Sequence, residues 1–136
     1  MPFGDYGHYR LFGTDKTTDV VLAVGDAGKD NVITPKSANH QLFIQKITAS
    51  IVTAAAQAIT IRDDAGTPVV IDVIPASQAT SIILDYGPKG RALTVGKNLD
   101  IVNTAGPAFD FHIEAYEKLR GDVGVALGTG PNGILN

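Results

Sequence analysis

The chain of 136 residues has no cysteine and no tryptophan, and only two of its fourteen acidic residues are glutamate. Without cysteine, neither a disulfide framework nor a thiolate metal site is possible. No apolar run approaches the roughly 20 residues of a membrane span, and the N-terminus lacks the basic and apolar regions of a signal peptide. The basic residues are scattered singly and the formal net charge is −3, which argues against nucleic-acid binding.

The residues that are abundant favour β structure. Twelve aspartates and fifteen glycines suit turns, whereas the scarce glutamate is a helix former. Hydrophobic residues make up 44% of the chain and charged residues 18%, which is typical of a globular domain. A single domain of this length can bury a core without disulfides or metal.

Alternating apolar and polar residues predict strands. From Leu42 to Thr53, Phe43, Ile47, Ala49 and Ile51 are expected on one face, with Lys46, Thr48 and Ser50 on the other. Asp63-Asp64-Ala65-Gly66 reads as a hairpin turn with Gly66 able to adopt positive φ, and the segment from Gly25 to Asn31 reads as a loop. Val69, Ile71 and Val73 are expected to form the return strand of the hairpin.

The last predicted strand is long and runs from Ala108 to Leu119. Phe109, Phe111, Ile113 and Ala115 are predicted to face one way, and Asp110, His112, Glu114 and Tyr116 the other. About eight strands separated by turn signals predict an all-β fold, a single jelly-roll-like β-sandwich of antiparallel strands with flexible glycine-rich ends.

Three regions are expected along the chain. Residues 1–18 form an arm rich in glycine and aromatic residues, residues 19–119 form the sandwich, and residues 120–136 form a glycine-rich tail. The arm either packs on its own domain or reaches a partner. Its four aromatic residues are the candidate interface anchors, because aromatic side chains commonly dominate interface energies: Phe3, Tyr6, Tyr9 and Phe12.

Two short motifs match the residue pattern of known sites but lack the surrounding features that such sites need. Gly128-Thr129-Gly130-Pro131-Asn132-Gly133 fits G-x-G-x-x-G, but Pro131 lies within it and three residues follow it in this sequence, so we expect no helix there to hold a pyrophosphate. Arg120-Gly121-Asp122 spells an integrin-recognition tripeptide that nothing else in the chain supports. No cofactor is therefore predicted.

Asp110, His112 and Glu114 are the remaining candidates for chemistry. On a strand they share one face, with neighbours roughly 7 Å apart. They suit a metal ion or a histidine base oriented by a carboxylate. They equally suit the solvated face of an antiparallel strand, which is the common case. We expect the solvated or interface-facing arrangement, with no metal and no catalytic residue.

From Leu42 onward the chain resembles the small β-sandwich decoration, or cement, proteins of tailed-bacteriophage virions. The resemblance is carried by a hairpin strand, two turn-and-strand segments and the closing strand, which are Ile59-Thr60-Ile61-Arg62-Asp63, Leu84-Asp85-Tyr86-Gly87-Pro88-Lys89-Gly90, Leu93-Thr94-Val95-Gly96-Lys97-Asn98-Leu99 and Phe111-His112-Ile113-Glu114-Ala115-Tyr116.

The resemblance implies a non-enzymatic protein, often a homotrimer, that clamps neighbouring major capsid subunits on the virion surface. Such a protein is made in the host cytoplasm and has no nucleic-acid, membrane or small-molecule partner. The alternative is a carbohydrate-binding or host-attachment module of a phage tail or fibre, and the absence of tryptophan weighs against it.

Overall fold

The computed structural model describes residues 13–23, 26, 28–54, 58–75, 80–103 and 108–120. Within these residues the chain forms ten strands and no helix. The strands are β1 (Thr14–Asp15), β2 (Thr18–Leu22), β3 (Gly28–Ile33), β4 (His40–Thr53), β5 (Ala58–Asp63), β6 (Val70–Pro75), β7 (Ser81–Asp85), β8 (Arg91–Ala92), β9 (Leu99–Val102) and β10 (Ala108–Leu119).

Two antiparallel sheets pack together as a β-sandwich, which confirms the predicted fold class. In the larger sheet β10 and β4 are central; β1 and β2 pair with β10, and β7 and β8 pair with β4. The smaller sheet has the order β3-β9-β5-β6. No helix among the described residues is long and apolar enough to cross a membrane.

The core lies between the sheets and is built from the alternation that the sequence shows. Phe109, Phe111, Ile113 and Ala115 of β10 are all buried, and the rings of Phe109 and Phe111 stack with centroids 5.1 Å apart. Burying a side chain of this size contributes about 1.5–3 kcal/mol. The rest of the core is mostly aliphatic, including Ile47, Ile59, Ile61, Ile74, Leu93, Leu99 and Ile101.

A bulge in β4 overturns the predicted placement of Phe43. Lys46 pairs with Glu114, but Ile44 pairs with Ala115, so Gln45 is an extra residue in β4. One extra residue exchanges the two faces of everything beyond it. Leu42 and Ile44 therefore enter the core, and Phe43 faces away from it.

The turns also differ in detail from the prediction. The segment from Gly25 to Asn31, expected as a loop, contains the first four of the six residues of β3, which starts at Gly28 with φ 126°. The β5–β6 hairpin is confirmed, but Gly66 is not among the residues of positive φ. In the return strand Ile71 is buried whereas Val73 is 49% exposed, because the register shifts beside Ile61 and Arg62.

The ends of the chain are described only in part. Thr14 and Asp15, assigned to the arm by sequence, pair with Glu117 and Tyr116 of β10 and belong to the larger sheet. The predicted anchors Phe3, Tyr6, Tyr9 and Phe12 lie outside the described residues, as does the tail beyond Arg120 with its glycine motif.

Candidate interaction surface

The solvent-facing side of the larger sheet, called the outer face below, gathers side chains from four strands. Residues paired across strands share a face, so the register defines its rows. One row holds Val21, Asp110, Ser50 and Ser81, the next Asp19, His112, Thr48 and Ile83, and the third Glu114, Lys46 and Asp85. This arrangement bears out the expectation that Asp110, His112 and Glu114 share a face.

The imidazole of His112 on β10 contacts a carboxylate on another strand, that of Asp19 on β2. Its Nδ1 lies 2.6 Å from Oδ1 of Asp19 on β2, and the two side chains are 48% and 80% exposed. Sequence reasoning considered Asp110 and Glu114 but missed Asp19. The two residues are 93 positions apart, and only the pairing of β2 with β10 brings them together.

A shallow depression of about 410 Å³ lies over this pair. Asp19, Asp110 and His112 line it together with the hydroxyl residues Thr48 and Ser50. Among the described residues no group of three His, Cys, Asp or Glu side chains is placed to hold a metal ion. Phe111, which also lines the depression, has its side chain in the core and is 2% exposed, so it offers no ring for stacking.

Two large aliphatic side chains are exposed on the same face. Val21 is 64% exposed and Ile83 63%. Single exposed aliphatics are ordinary on a protein surface. Two in adjacent rows of one sheet face, set among hydroxyl groups, give a partner apolar area to bury.

The outer face is acidic. Asp19, Asp110, Glu114 and Asp85 oppose a single lysine, Lys46, which pairs with both Glu114 and Asp85 across the strands. A partner that carries basic groups is therefore the electrostatic complement of this face.

Beyond the bulge the same side of the sheet changes character. The rings of Phe43 and Tyr116 stack 4.9 Å apart, and the Tyr116 hydroxyl donates to the carbonyl of Lys89 at 2.7 Å. Lys118 lies over both rings and Arg120 lies over Phe43, at centroid distances between 5.7 and 5.9 Å. The two rings are buried, whereas Lys118 is half-buried and Arg120 is exposed, so this part of the sheet is basic where the outer face is acidic.

Asp63, at the end of β5, is a fully buried carboxylate that sequence reasoning placed in a turn. Its carboxylate accepts backbone N–H bonds from Ala65, Val69 and Thr94, at 3.1, 3.0 and 2.8 Å. Burial alone raises the pKa of Asp63, but these hydrogen bonds outweigh it and leave the pKa below its ordinary value. The carboxylate thereby holds the β5–β6 hairpin to the segment that follows β8.

Two further polar side chains, Tyr86 and Glu117, link separate segments of the sandwich. The Tyr86 hydroxyl donates to Asp72 at 2.9 Å, and both burial and this carboxylate raise the pKa of Tyr86. Glu117, 2% exposed, accepts the backbone N–H of Lys36 at 2.9 Å and lies 3.7 Å from Lys16 Nζ. These contacts are structural, and none of them opens onto the depression.

Comparisons with known proteins do not identify a family for this chain. No family model matches the chain, and no curated protein matches it. Among solved structures it is similar to the Drosophila NLP core, with 10% identity, a TM-score of 0.44, and coverage of 74% of this chain and 97% of that one.

Two other solved structures are similar at the same level. One is a pilus protein of Bacillus endospore appendages, with 10% identity, a TM-score of 0.36 and coverage of 80% of this chain and 91% of that one. The other is the virus-like particle of the extra small virus of the prawn Macrobrachium rosenbergii, with 15% identity, a TM-score of 0.32 and coverage of 76% and 79%. Because all three TM-scores lie below 0.5, none of these likenesses carries an argument about this chain.

Proposed function

We propose that this chain is a non-enzymatic virion structural protein that binds a bacteriophage capsid shell and stabilises it. The observation that carries the proposal is the outer face, where Val21 and Ile83 are exposed in adjacent rows of the larger sheet. The family resemblance of the sequence supplies the identity of the partner, which is the major capsid protein. The virion surface is then the site of action.

The outer face suits adhesion better than chemistry. Its histidine is paired with one exposed carboxylate, and the described residues bring no third ligand to it. General acid–base catalysis needs a group held in a defined, partly enclosed site, whereas Asp19 is 80% exposed. We therefore assign His112 and Asp19 to the surface that meets a partner.

Carbohydrate binding at the depression is the second candidate. Asp19, Asp110, Thr48 and Ser50 provide hydrogen-bonding groups there, but the only aromatic residue in the lining is buried. Binding of the chain to an array of bacterial glycans, lost on Asp110→Ala, would favour this function over capsid binding.

The direct test is co-sedimentation of the purified chain with empty capsid shells. Val21→Lys places a cation on the outer face and is expected to weaken shell binding by about tenfold or more, since an interface anchor contributes 1.4 kcal/mol or more. Val70→Lys is the matched control, because Val70 is 44% exposed on the other sheet. Equal binding by both variants, or no binding by the parent chain, would contradict the proposal.

A further inference from the structure

We propose that two copies of this chain pair antiparallel along β7, so that their larger sheets join into one continuous sheet with Ile83 on the twofold axis. The pairing concerns this chain alone and does not depend on the proposed capsid partner. In the part of the chain that the structure describes, β4 is the only strand paired with β7.

The backbone of β7 shows which of its groups face the open side. The N–H of Ile51 donates to Thr80 O at 2.7 Å, and the N–H of Tyr86 donates to Gln45 O at 2.8 Å. In an antiparallel ladder alternate residues turn their N–H and C=O groups to opposite sides. The even-numbered residues of this segment therefore bond to β4, and Ser81 and Ile83 direct their backbone groups away from it.

The other sheet edges are obstructed. On β6 the Arg91 guanidinium donates to the carbonyls of Val70 and Ile71, and the Asp72 carboxylate accepts the N–H of Val73. On β3 the ladder register breaks between Lys29 and Ile33.

The β1–β2 edge is interrupted as well. Asp15 accepts the N–H and hydroxyl of Thr17 between the two strands, and β2 contacts β3 of the other sheet. Proteins block sheet edges in such ways against unwanted pairing. The central residue of β7 is instead an exposed isoleucine.

The β7 edge is complementary to itself. Because Ile83 is the midpoint of Ser81–Asp85, twofold pairing places Ile83 opposite Ile83 of the second copy as a hydrogen-bonded pair. Their side chains, each 63% exposed in the single chain, then meet on the outer face. Asp85 falls opposite Ser81, so the two Asp85 residues stand about 13 Å apart, four residues along the ladder. No acid faces an acid across the junction.

The first test is the mass of the full chain in solution, without capsid shells, over a series of concentrations. The parent is expected to form dimers as the concentration rises, in place of the trimer that the family resemblance implies. Ile83→Pro removes an N–H that faces away from β4, so the internal ladder survives while pairing is lost. Ile83→Lys is the second variant, in case proline disturbs folding, and it also abolishes the dimer. The control Val73→Lys, on the obstructed β6 edge, leaves the dimer unchanged.

The second test fixes the register by crosslinking. The chain has no cysteine, so a single introduced cysteine has only its counterpart in another copy to react with. Hydrogen-bonded antiparallel pairs have Cα atoms about 5.5 Å apart, within the range of a disulfide. Ile83→Cys is therefore expected to form a covalent dimer on oxidation, whereas Ser81→Cys is expected to stay uncrosslinked.

Several results would overturn the pairing. These are a monomer at every concentration, an oligomer whose mass is indifferent to both Ile83 variants, or crosslinking of Ser81→Cys in preference to Ile83→Cys. If the chain shows any of these results and still binds capsid shells, the pairing is wrong but the proposed function is not. The two proposals can therefore be contradicted independently.

Discussion

Two buried aspartates on the adjacent strands β5 and β9 experience opposite environments. Asp63 accepts three backbone N–H bonds, which hold its pKa below the ordinary value. Asp100 accepts one, from Asn31 at 2.8 Å. Burial and the nearby carboxylates of Asp30 and Asp64 raise the pKa of Asp100. The charged form therefore stabilises the fold at Asp63 and destabilises it at Asp100.

Asp63→Asn is expected to lower the free energy of unfolding at pH 7 by about 2 kcal/mol. The substitution replaces one carboxylate oxygen by an NH₂ group, which cannot accept a hydrogen bond from the backbone N–H groups around it. The pKa of Asp63 is depressed in the folded chain. Its contribution is therefore fully present above the unfolded-state value of about 3.9 and is lost as pH falls through the folded-state pKa. Urea unfolding at pH 7 and at acid pH checks both statements: the deficit of the variant should shrink in acid.

Asp100→Asn is expected to change the free energy of unfolding in the opposite direction. Its side-chain oxygen can still accept the Asn31 N–H, and the repulsion from Asp30 and Asp64 is removed. The variant is expected to be at least as stable as the parent at pH 7. This advantage should diminish as pH falls, since the parent's Asp100 then takes up its proton. A parent that is clearly more stable at pH 7 would contradict this account.

At the scale of elements, the strand alternation was predictable and the irregularities were not. The alternation in β10 and in β4 from Lys46 to Ile51 follows from local sequence, because one face packs against the other sheet. The alternation predicts the wrong face for Phe43, because the bulge at Gln45 is set by pairing with Glu114 and Ala115, about 70 residues away. The contact of Asp19 with His112 was unpredictable for the same reason, since it depends on non-local pairing.

Position 96 requires glycine for two reasons, its backbone conformation and the close approach of a neighbouring backbone. Its φ is +78°, and a Cβ there would lie 2.6 Å from the carbonyl oxygen of Ala38. Gly96→Ala is expected to cost about 2 kcal/mol or more, measured as a lower denaturation midpoint in urea. Gly66→Ala is the matched control, because nothing lies within 4 Å of its Cβ position. It should be neutral or slightly stabilising, and equal losses at both sites would contradict the geometry.

At the scale of the whole molecule, the sandwich presents surfaces of different character. The outer face is acidic with exposed aliphatics, and the far end of the same sheet is basic around Phe43 and Tyr116. Within the described part of the chain, β7 pairs on one side only, with β4. The sequence predicts the sandwich and part of the outer face from alternation alone. Which side chains share a surface depends on which strands are neighbours in the sheet. The row formed by Val21, Asp110 and Ser50 therefore cannot be predicted from the sequence.

The sequence also predicts that the N-terminal arm contributes to assembly. Because Thr14 and Asp15 pair with β10, the informative truncation removes residues 1–12 and leaves the described sheet intact. The truncated chain is expected to keep its thermal midpoint to within about 4 °C, the shift that a loss of 1 kcal/mol would cause. It should also keep its β7 dimer but bind capsid shells more weakly. Calorimetry, sedimentation and shell pelleting measure the three quantities.

Replacing Phe3, Tyr6, Tyr9 and Phe12 together with alanine separates the aromatic anchors from the length of the arm. If the rings are the anchors, this variant binds shells as weakly as the truncation, since a few aromatic side chains commonly carry most of an interface's energy. Shell binding at the parent's level in both variants would assign adhesion to the sheet surfaces alone. The outer face, with Val21 at its edge, would then account for all of it, and Val21→Lys should be the more damaging change.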